Sequence, residues 1–195
     1  MSLFYQFETV NSDGWKTSGK NVQYKVVDDT LYFQCSHEKS DWFYNFMASE
    51  SVYNDSDISF VGHKGFNELW ESVRHEIEGM KFCKIVGYSQ GAALAVRAHE
   101  NYFHRKGFEP DVTITFGCPP SIKHPTRKLA ARFSHLVNYH NPRDIVYWLP
   151  MLIGYKHVGV SVALTNKAKM PKGFNLITWL TGHSPEEYRQ RLYNA

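Results

Sequence analysis

The chain has 195 residues, 43% of them apolar and 15% aromatic, and a formal net charge of +3. One domain spanning residues 1–195 is expected, large enough to bury a core without disulfide or metal staples. The charge is mild and not gathered into a basic block, which argues against nucleic acid as a partner. Three cysteines (Cys35, Cys83, Cys118) show no paired spacing, so a reducing compartment fits better than a disulfide framework. The first residues, Met-Ser-Leu-Phe-Tyr-Gln, lack the basic start and apolar run of a signal peptide, and no apolar run reaches the ~20 residues of a spanning helix. A cytoplasmic location is the expectation.

Elements follow in chain order. Val22–Val27 and Thr30–Ser36 flank Asp28-Asp29 and read as a hairpin. Over residues 65–80, Phe66, Leu69, Val73 and Ile77 fall at helical spacing. Phe82–Gly87 is a short apolar strand. Residues 90–107 form an alanine-rich helix closed by Gly107. Residues 111–117 are a strand, 125–133 a helix, 134–141 and 156–164 strands, and 184–194 a last helix. Strands alternating with helices predict a layered α/β domain.

Between the strand 82–87 and the helix from Gln90 stands Gly-Tyr-Ser-Gln-Gly, residues 87–91. Five residues with three fixed are weak evidence alone. In a strand–turn–helix setting, however, Gly-x-Ser-x-Gly has a mechanical meaning. The turn pushes Ser89 out above the sheet edge, and Gly87 and Gly91 stand where a Cβ would clash. The helix start also offers unpaired backbone N–H groups where negative charge can develop. The plainer reading is a tight turn without chemistry.

A serine hydroxyl is a weak nucleophile, so a histidine base and a carboxylate are required. Where this motif works as a nucleophile, the partners follow in the order Ser, Asp, His. Only two aspartates come after Ser89. Asp111 opens a strand at its wrong end; Asp144 lies in Asn-Pro-Arg-Asp just past a strand, where it is either the acid or a turn residue bonding its own backbone. Ten histidines are available. His99 and His104 are spaced i, i+5 around one helix, which rules out His-Glu-x-x-His zinc chemistry. His140 is in or at the end of a strand and His157 within one. His183 precedes a helix with Ser184 as N-cap, Pro185 in the first turn and Glu187 three residues after the cap, which fixes its direction. His183 is preferred as the base.

At these residues the chain resembles the class 3 lipases, which are fungal-lipase-like α/β-hydrolases. The likeness spans roughly residues 21–190. Residues 31–46 resemble that family's Phe-Arg-Gly-Ser/Thr strand end and following Asp-Trp-x-x-Asn. Residues 62–66 resemble its Val-His-x-Gly-Phe, and 85–95 stand where it has Gly-His-Ser-Leu-Gly-Gly-Ala-Leu-Ala. Residues 115–120 resemble Thr-Phe-Gly-x-Pro-Arg, 141–159 the stretch carrying the acid, and 183–188 its His-Ser-x-Glu-x-Tyr. The resemblance implies an α/β-hydrolase fold with a central mostly parallel or mixed sheet flanked by helices. It also implies Ser89, Asp144 and His183 as the triad. The nucleophile motif itself is closer to that of the cutinases, but those carry disulfides and a much shorter gap between acid and base than the 39 residues here. Gln34-Cys35 replaces the family's Arg-Gly before Ser36, which by resemblance supplies an oxyanion donor alongside the N–H of Gln90. The chain is also short for the family.

The resulting expectation is a serine carboxylic-ester hydrolase acting on a lipid-like or acyl ester through an acyl-enzyme, with no metal or organic cofactor. Acyl transfer to another acceptor, a cutinase-like esterase and a non-catalytic binding protein on the same scaffold stay open. Trp42 with Phe43, Tyr44 and Phe46, then Tyr88, then Trp148 and Leu149 of residues 147–155, and Trp179 are candidates to line an acyl site; for the aromatic runs, burial in the core is an equal alternative. Transient contact with a lipid surface is left open. The four residues 37–40 are too short for a helical lid, so an open site is expected, with residues 165–180 the best substitute cover.

Overall fold

A computed structural model describes residues 2–34, 49–54, 56–165 and 181–193, without the Leu149 side chain. In chain order the elements are α1 (Leu3–Val10), β1 (Lys16–Ser18), β2 (Val22–Val27), β3 (Thr30–Phe33), β4 (Glu50–Tyr53), β5 (Phe60–His63), α2 (Lys64–Glu71), α3 (Arg74–Glu78), β6 (Lys84–Tyr88), α4 (Gln90–Lys106), β7 (Val112–Phe116), β8 (Ile122–Lys123), α5 (Arg127–Ala130), β9 (Leu136–His140), α6 (Ile145–Trp148), β10 (Tyr155–Lys156), β11 (Val160–Ala163) and α7 (Pro185–Tyr193). Short 3-10 turns extend α5 over Ala131–Phe133 and α6 over Leu149–Ile153.

Among the described residues, seven strands form the main sheet in the order β1-β2-β3-β6-β7-β9-β11. From β3 onward the neighbours are parallel, and β1 and β2 add an antiparallel edge. The β2–β3 hairpin turns on Asp28-Asp29, with Asp28 in the left-handed region at φ 53°. A second, antiparallel sheet (β10-β8-β5-β4) has no counterpart in the sequence reading. Its strands are two to four residues long, too short to show alternation.

The pleat divides the core. Leu31, Phe33 and Ile85 face one side of the main sheet, where Trp70, Ala92, Ala95 and Leu136 meet them. Tyr32, Val86 and Tyr88 point to the other side, against Phe7, Phe116, Tyr188 and Leu192. Alternate residues of a strand face opposite ways, so this division follows from the registers of β3 and β6. Helix α4 is buried from Gly91 to Asn101, and its alanines let it lie close to the sheet. Its buried polar groups are partnered: the Arg97 guanidinium bonds Asn67 Oδ1 (2.8 Å) and Ser121 O (2.9 Å), and Glu100 holds Arg132 at 2.7 Å.

Several boundaries differ from the sequence reading. The helix expected over 65–80 is broken into α2 and α3. Ser72 Oγ donates to Leu69 O (2.7 Å) and accepts from Lys20 N (3.0 Å), and Val73 leaves the helical region at φ −127°. A serine that bonds local backbone and a neighbouring loop competes with the helical ladder. The strand expected over 156–164 is two pieces, so His157 lies between β10 and β11 rather than in a strand. Helix α1 was not read from the sequence. It buries Gln6, Phe7 and Val10 and is capped by Ser2, whose Oγ accepts from Tyr5 N. Among the described residues, no helix is long and apolar enough to cross a membrane.

Candidate active site

The C-terminal ends of the parallel strands gather the chemistry, as is usual in open α/β sheets. Ser89 follows β6 directly, Gly117 follows β7, Asp144 comes four residues after β9, and His183 stands in the turn before α7.

Ser89 has φ 57° and ψ −123°, a conformation that L-residues adopt only under strain, at a cost of about 1–3 kcal/mol. Its surroundings hold it there. Ser89 N donates to Phe116 O on β7 (2.9 Å), and Ser89 O accepts from Ala92 N (3.0 Å) to open α4. A Cβ on Gly87 would lie 2.4 Å from Gly91 O; one on Gly91 would lie 2.4 Å from Phe33 O and 2.8 Å from Gln34 O. The two glycines therefore allow strand, helix and the end of β3 to converge beneath the serine.

Ser89 Oγ lies 2.7 Å from His183 Nε2, and His183 Nδ1 lies 2.7 Å from Asp144 Oδ2. The protons can be assigned from the acid end. An ionised carboxylate only accepts, so Nδ1 carries the imidazole proton and Nε2 is left to accept from the Ser89 hydroxyl. Asp144 has no exposed surface and is held from three directions. Oδ1 accepts from Val146 N (2.9 Å), while Oδ2 accepts from His183 and from the Tyr188 hydroxyl (2.6 Å). Burial, then the Asp144 charge, pushes the Tyr188 hydroxyl well above the usual phenol range, so it remains a donor. The turn role considered for Asp144 is also observed, since its bond from Val146 N lies two residues on; Asn141 does the same one turn earlier, its Oδ1 accepting from Arg143 N (3.1 Å).

His183 is fixed from behind by Tyr88. The two rings stack at 5.4 Å with an 18° tilt, and the Tyr88 hydroxyl donates to the His183 carbonyl. Tyr88 was a candidate to line an acyl site. It is buried instead on the α1–α7 side, because it shares a face of β6 with Val86. The Ser184 cap forms, with its Oγ accepting from Glu187 N at 3.3 Å.

Gly117, Asn141 and Tyr188 were given no site role from the sequence. Gly117 sits at φ 55°, and a Cβ there would lie 2.9 Å from Asp144 Oδ2, 2.9 Å from Tyr188 Oη and 3.1 Å from His183 Cε1. Tyr188 also accepts from Asn141 N at 3.1 Å. The only sequence signal was their membership in the quoted motifs around 115–120, 141–159 and 183–188.

The other histidines have different tasks. His157 Nε2 pairs with Tyr147 O (3.0 Å), and burial lowers its pKa to about 4. His140 and His157 stack on Tyr147, each at 3.9 Å. His99 bonds Thr113 Oγ1 (2.8 Å) and Arg132 O (2.7 Å), with its pKa lowered by burial to about 4. His104 faces Asp57 instead. Cys118, beside Gly117, is a buried thiol pushed up to about 12 by burial.

Gln90 is the first residue of α4, so its N–H precedes the first intrahelical acceptor. Ser36, Cys35, Trp42, Phe43, Tyr44, Phe46, Trp179 and the segments 37–40 and 166–180 lie outside the described residues. Trp148 is 38% exposed, with its indole N–H donating to Pro142 O (3.1 Å). Ser89 itself has no exposed surface and 14% of the His183 side chain is exposed; the segments on which the expectation of an open site rested lie outside the described residues.

No family model and no curated protein matches the sequence. Solved structures match its fold. A fungal lipase–inhibitor complex superposes with a TM-score of 0.63 at 18% identity, covering 81% of this chain and 77% of that one. The Rhizomucor miehei lipase–propeptide complex gives 0.62 at 18% identity, covering 80% and 57%. Lip2 lipase from Yarrowia lipolytica gives 0.57 at 16% identity, covering 74% and 62%. The chain spans about three fifths of the length of the latter two proteins. At these identities the likeness is one of fold.

Proposed function

We propose that this chain, whose fold is that of the α/β-hydrolases, is a serine carboxylic-ester hydrolase acting on an acyl or lipid-like ester. The observation that carries the reading is the continuous relay from Ser89 Oγ through His183 to Asp144, two contacts of 2.7 Å built on a strained serine at the sheet edge. A serine held in this way has little structural purpose, since the strain costs free energy that an ordinary turn would not.

In this reading Ser89 Oγ attacks the ester carbonyl carbon while His183 Nε2 takes its proton. The imidazolium forms with its Nδ1–H already bonded to the buried Asp144 carboxylate, which stabilises the cation without accepting its proton. Negative charge develops on the carbonyl oxygen near the start of α4, where the Gln90 N–H would donate to it; such a donor is worth about 3–4 kcal/mol. By resemblance the Ser36 N–H is the second donor. His183 then protonates the leaving alcohol, the C–O bond breaks, and an acyl group remains on Ser89. Water attacks this ester with His183 as base and releases the acid. The three groups need no metal or organic cofactor.

The test is a panel of p-nitrophenyl esters of increasing acyl length, run on wild type and Ser89→Ala. Turnover that peaks at one chain length and vanishes in Ser89→Ala supports the reading. Equal turnover by both proteins excludes it.

A further inference from the structure

Helix α1 packs on the face of the main sheet that holds Tyr88, and one of its side chains connects the supports of all three relay residues. Phe7 has no exposed surface. Its ring meets Tyr88 edge-on at 5.4 Å and Phe116 edge-on at 5.1 Å, and lies within 22° of parallel to Tyr188 at 5.9 Å.

Each of these partners holds a different member of the relay. Tyr88 precedes Ser89, stacks on the His183 ring at 5.4 Å and donates its hydroxyl to the His183 carbonyl. Phe116 O accepts the Ser89 N–H at 2.9 Å. The Tyr188 hydroxyl donates to Asp144 Oδ2 at 2.6 Å. One ring near the start of the chain therefore lies a single residue away from Ser89, Asp144 and His183, though it is 82, 137 and 176 positions from them in sequence.

The helix that carries Phe7 is fastened by other groups. Gln6 Oε1 accepts from the Tyr32 hydroxyl on β3 at 2.6 Å, Glu8 pairs with Arg189 of α7 at 2.7 Å, and Phe4 meets the Tyr193 ring at 5.9 Å. Phe7 is thus a fixed stop against which the neighbouring rings rest. Edge-to-face contacts constrain the tilt of both rings, which an aliphatic side chain does not do. A smaller or rounder side chain would let Tyr88 and Tyr188 relax toward it, because a close-packed interior answers a void by shifting its neighbours. The relay has little tolerance for such a shift, since a misplacement of about 1 Å can cost about a hundredfold in rate.

We propose that Phe7 is a positioning residue for the relay: its ring sets the tilt of Tyr88 and Tyr188, and through them the orientation of His183 between Ser89 and Asp144. Its part in turnover rests on the ester-hydrolase reading. Its hold on the His183–Asp144 bond does not.

The experiment compares wild type, Phe7→Leu and Ile77→Val. Phe7→Leu keeps an apolar side chain in place and so keeps the fold, but it removes the flat ring. Ile77 is buried in the core on the other face of the main sheet, so Ile77→Val lowers stability without touching the supports of the relay. Steady-state rates on a soluble p-nitrophenyl ester, well below every Tm, should show kcat about tenfold lower in Phe7→Leu with KM within about twofold, the mark of an interaction that acts only in the transition state. Ile77→Val should keep kcat within about twofold while its Tm falls by about 2–6 °C. Proton NMR reads the relay without turnover, through the His183 Nδ1–H bonded to Asp144. That far-downfield resonance, assigned by its loss in His183→Ala, should shift or broaden in Phe7→Leu and stay in place in Ile77→Val. Wild-type kcat and an unmoved resonance in Phe7→Leu overturn the proposal. So does an equal loss of kcat in Ile77→Val, which would show that activity merely follows stability. A wild type without Ser89-dependent turnover, whose resonance still moves in Phe7→Leu, would refute the hydrolase reading and leave the positioning standing.

Discussion

Replacing Tyr188 with Phe removes one oxygen and two hydrogen bonds from the acid end of the relay. The hydroxyl donates to Asp144 Oδ2 at 2.6 Å and accepts from Asn141 N at 3.1 Å, and the side chain has no exposed surface, so water cannot take either place. A hydrogen bond to a charged group contributes about 1.5–3 kcal/mol net, and a buried N–H left without a partner costs about 1–3 kcal/mol. Taking the lower part of both ranges, Tyr188→Phe destabilises the fold by about 3 kcal/mol, which lowers Tm by about 6–12 °C in a chain of this size. Activity should suffer less. Asp144 keeps Val146 N on Oδ1 and His183 on Oδ2, so kcat should fall by about tenfold or less. Thermal unfolding by circular dichroism and initial rates on a soluble p-nitrophenyl ester measure the two effects. A Tm within about 2 °C of wild type would show that the Tyr188–Asp144 bond carries no net stability, and the account of how the acid is held would fail.

Gly117→Ala should cost about 1–2 kcal/mol for its left-handed backbone and, by driving Asp144, Tyr188 and His183 apart, about a hundredfold in kcat/KM; steady-state kinetics at wild-type-like activity would contradict the crowding argument. Asp144→Asn should lower kcat by several orders of magnitude with the fold intact, and His183→Ala nearly as much as Ser89→Ala, whereas His157→Ala should cost far less; the reverse ranking of the two histidine variants would reassign the base. Burial holds His99 and His157 near pKa 4, below the 6.5 of an unfolded histidine, so the unfolded chain takes up both protons first as pH falls. Their contribution to stability is complete above about pH 6.5 and is lost down to about pH 4, with a slope of up to about 3 kcal/mol per pH unit that His157→Gln should roughly halve. Urea unfolding across that range measures it, and a flat profile would show that neither histidine is buried neutral.

Sequence patterning located what periodicity and turn chemistry govern. The β2–β3 hairpin, the helix Gln90–Lys106 with Gly107 at its end, and the strand–turn–helix around Ser89 are all local signals, and they stand in the structure. The convergence of Ser89, Asp144 and His183 was reachable because chain order and loop position restrict the choice among ten histidines. What stayed hidden depends on tertiary neighbours. Gly117 reads as any glycine after a strand until the three groups around its missing Cβ are known. Tyr88 reads as a pocket residue until the register of β6 turns it toward Phe7 and Tyr188. The break after Glu71 depends on Lys20, 52 residues away in the chain, reaching Ser72. The second sheet depends on strands two to four residues long, which no alternation rule detects.

The central claim is that Ser89 is an activated nucleophile, and reaction with a fluorophosphonate tests it most directly. The probe's phosphorus is attacked at a useful rate only by a serine whose proton has a base to go to, and fluoride leaves as the bond forms. Mass spectrometry of digested protein should place a single adduct on Ser89, absent from Ser89→Ala and strongly slowed in His183→Ala. Labelling of folded protein at another serine, or no labelling at all, would contradict the account.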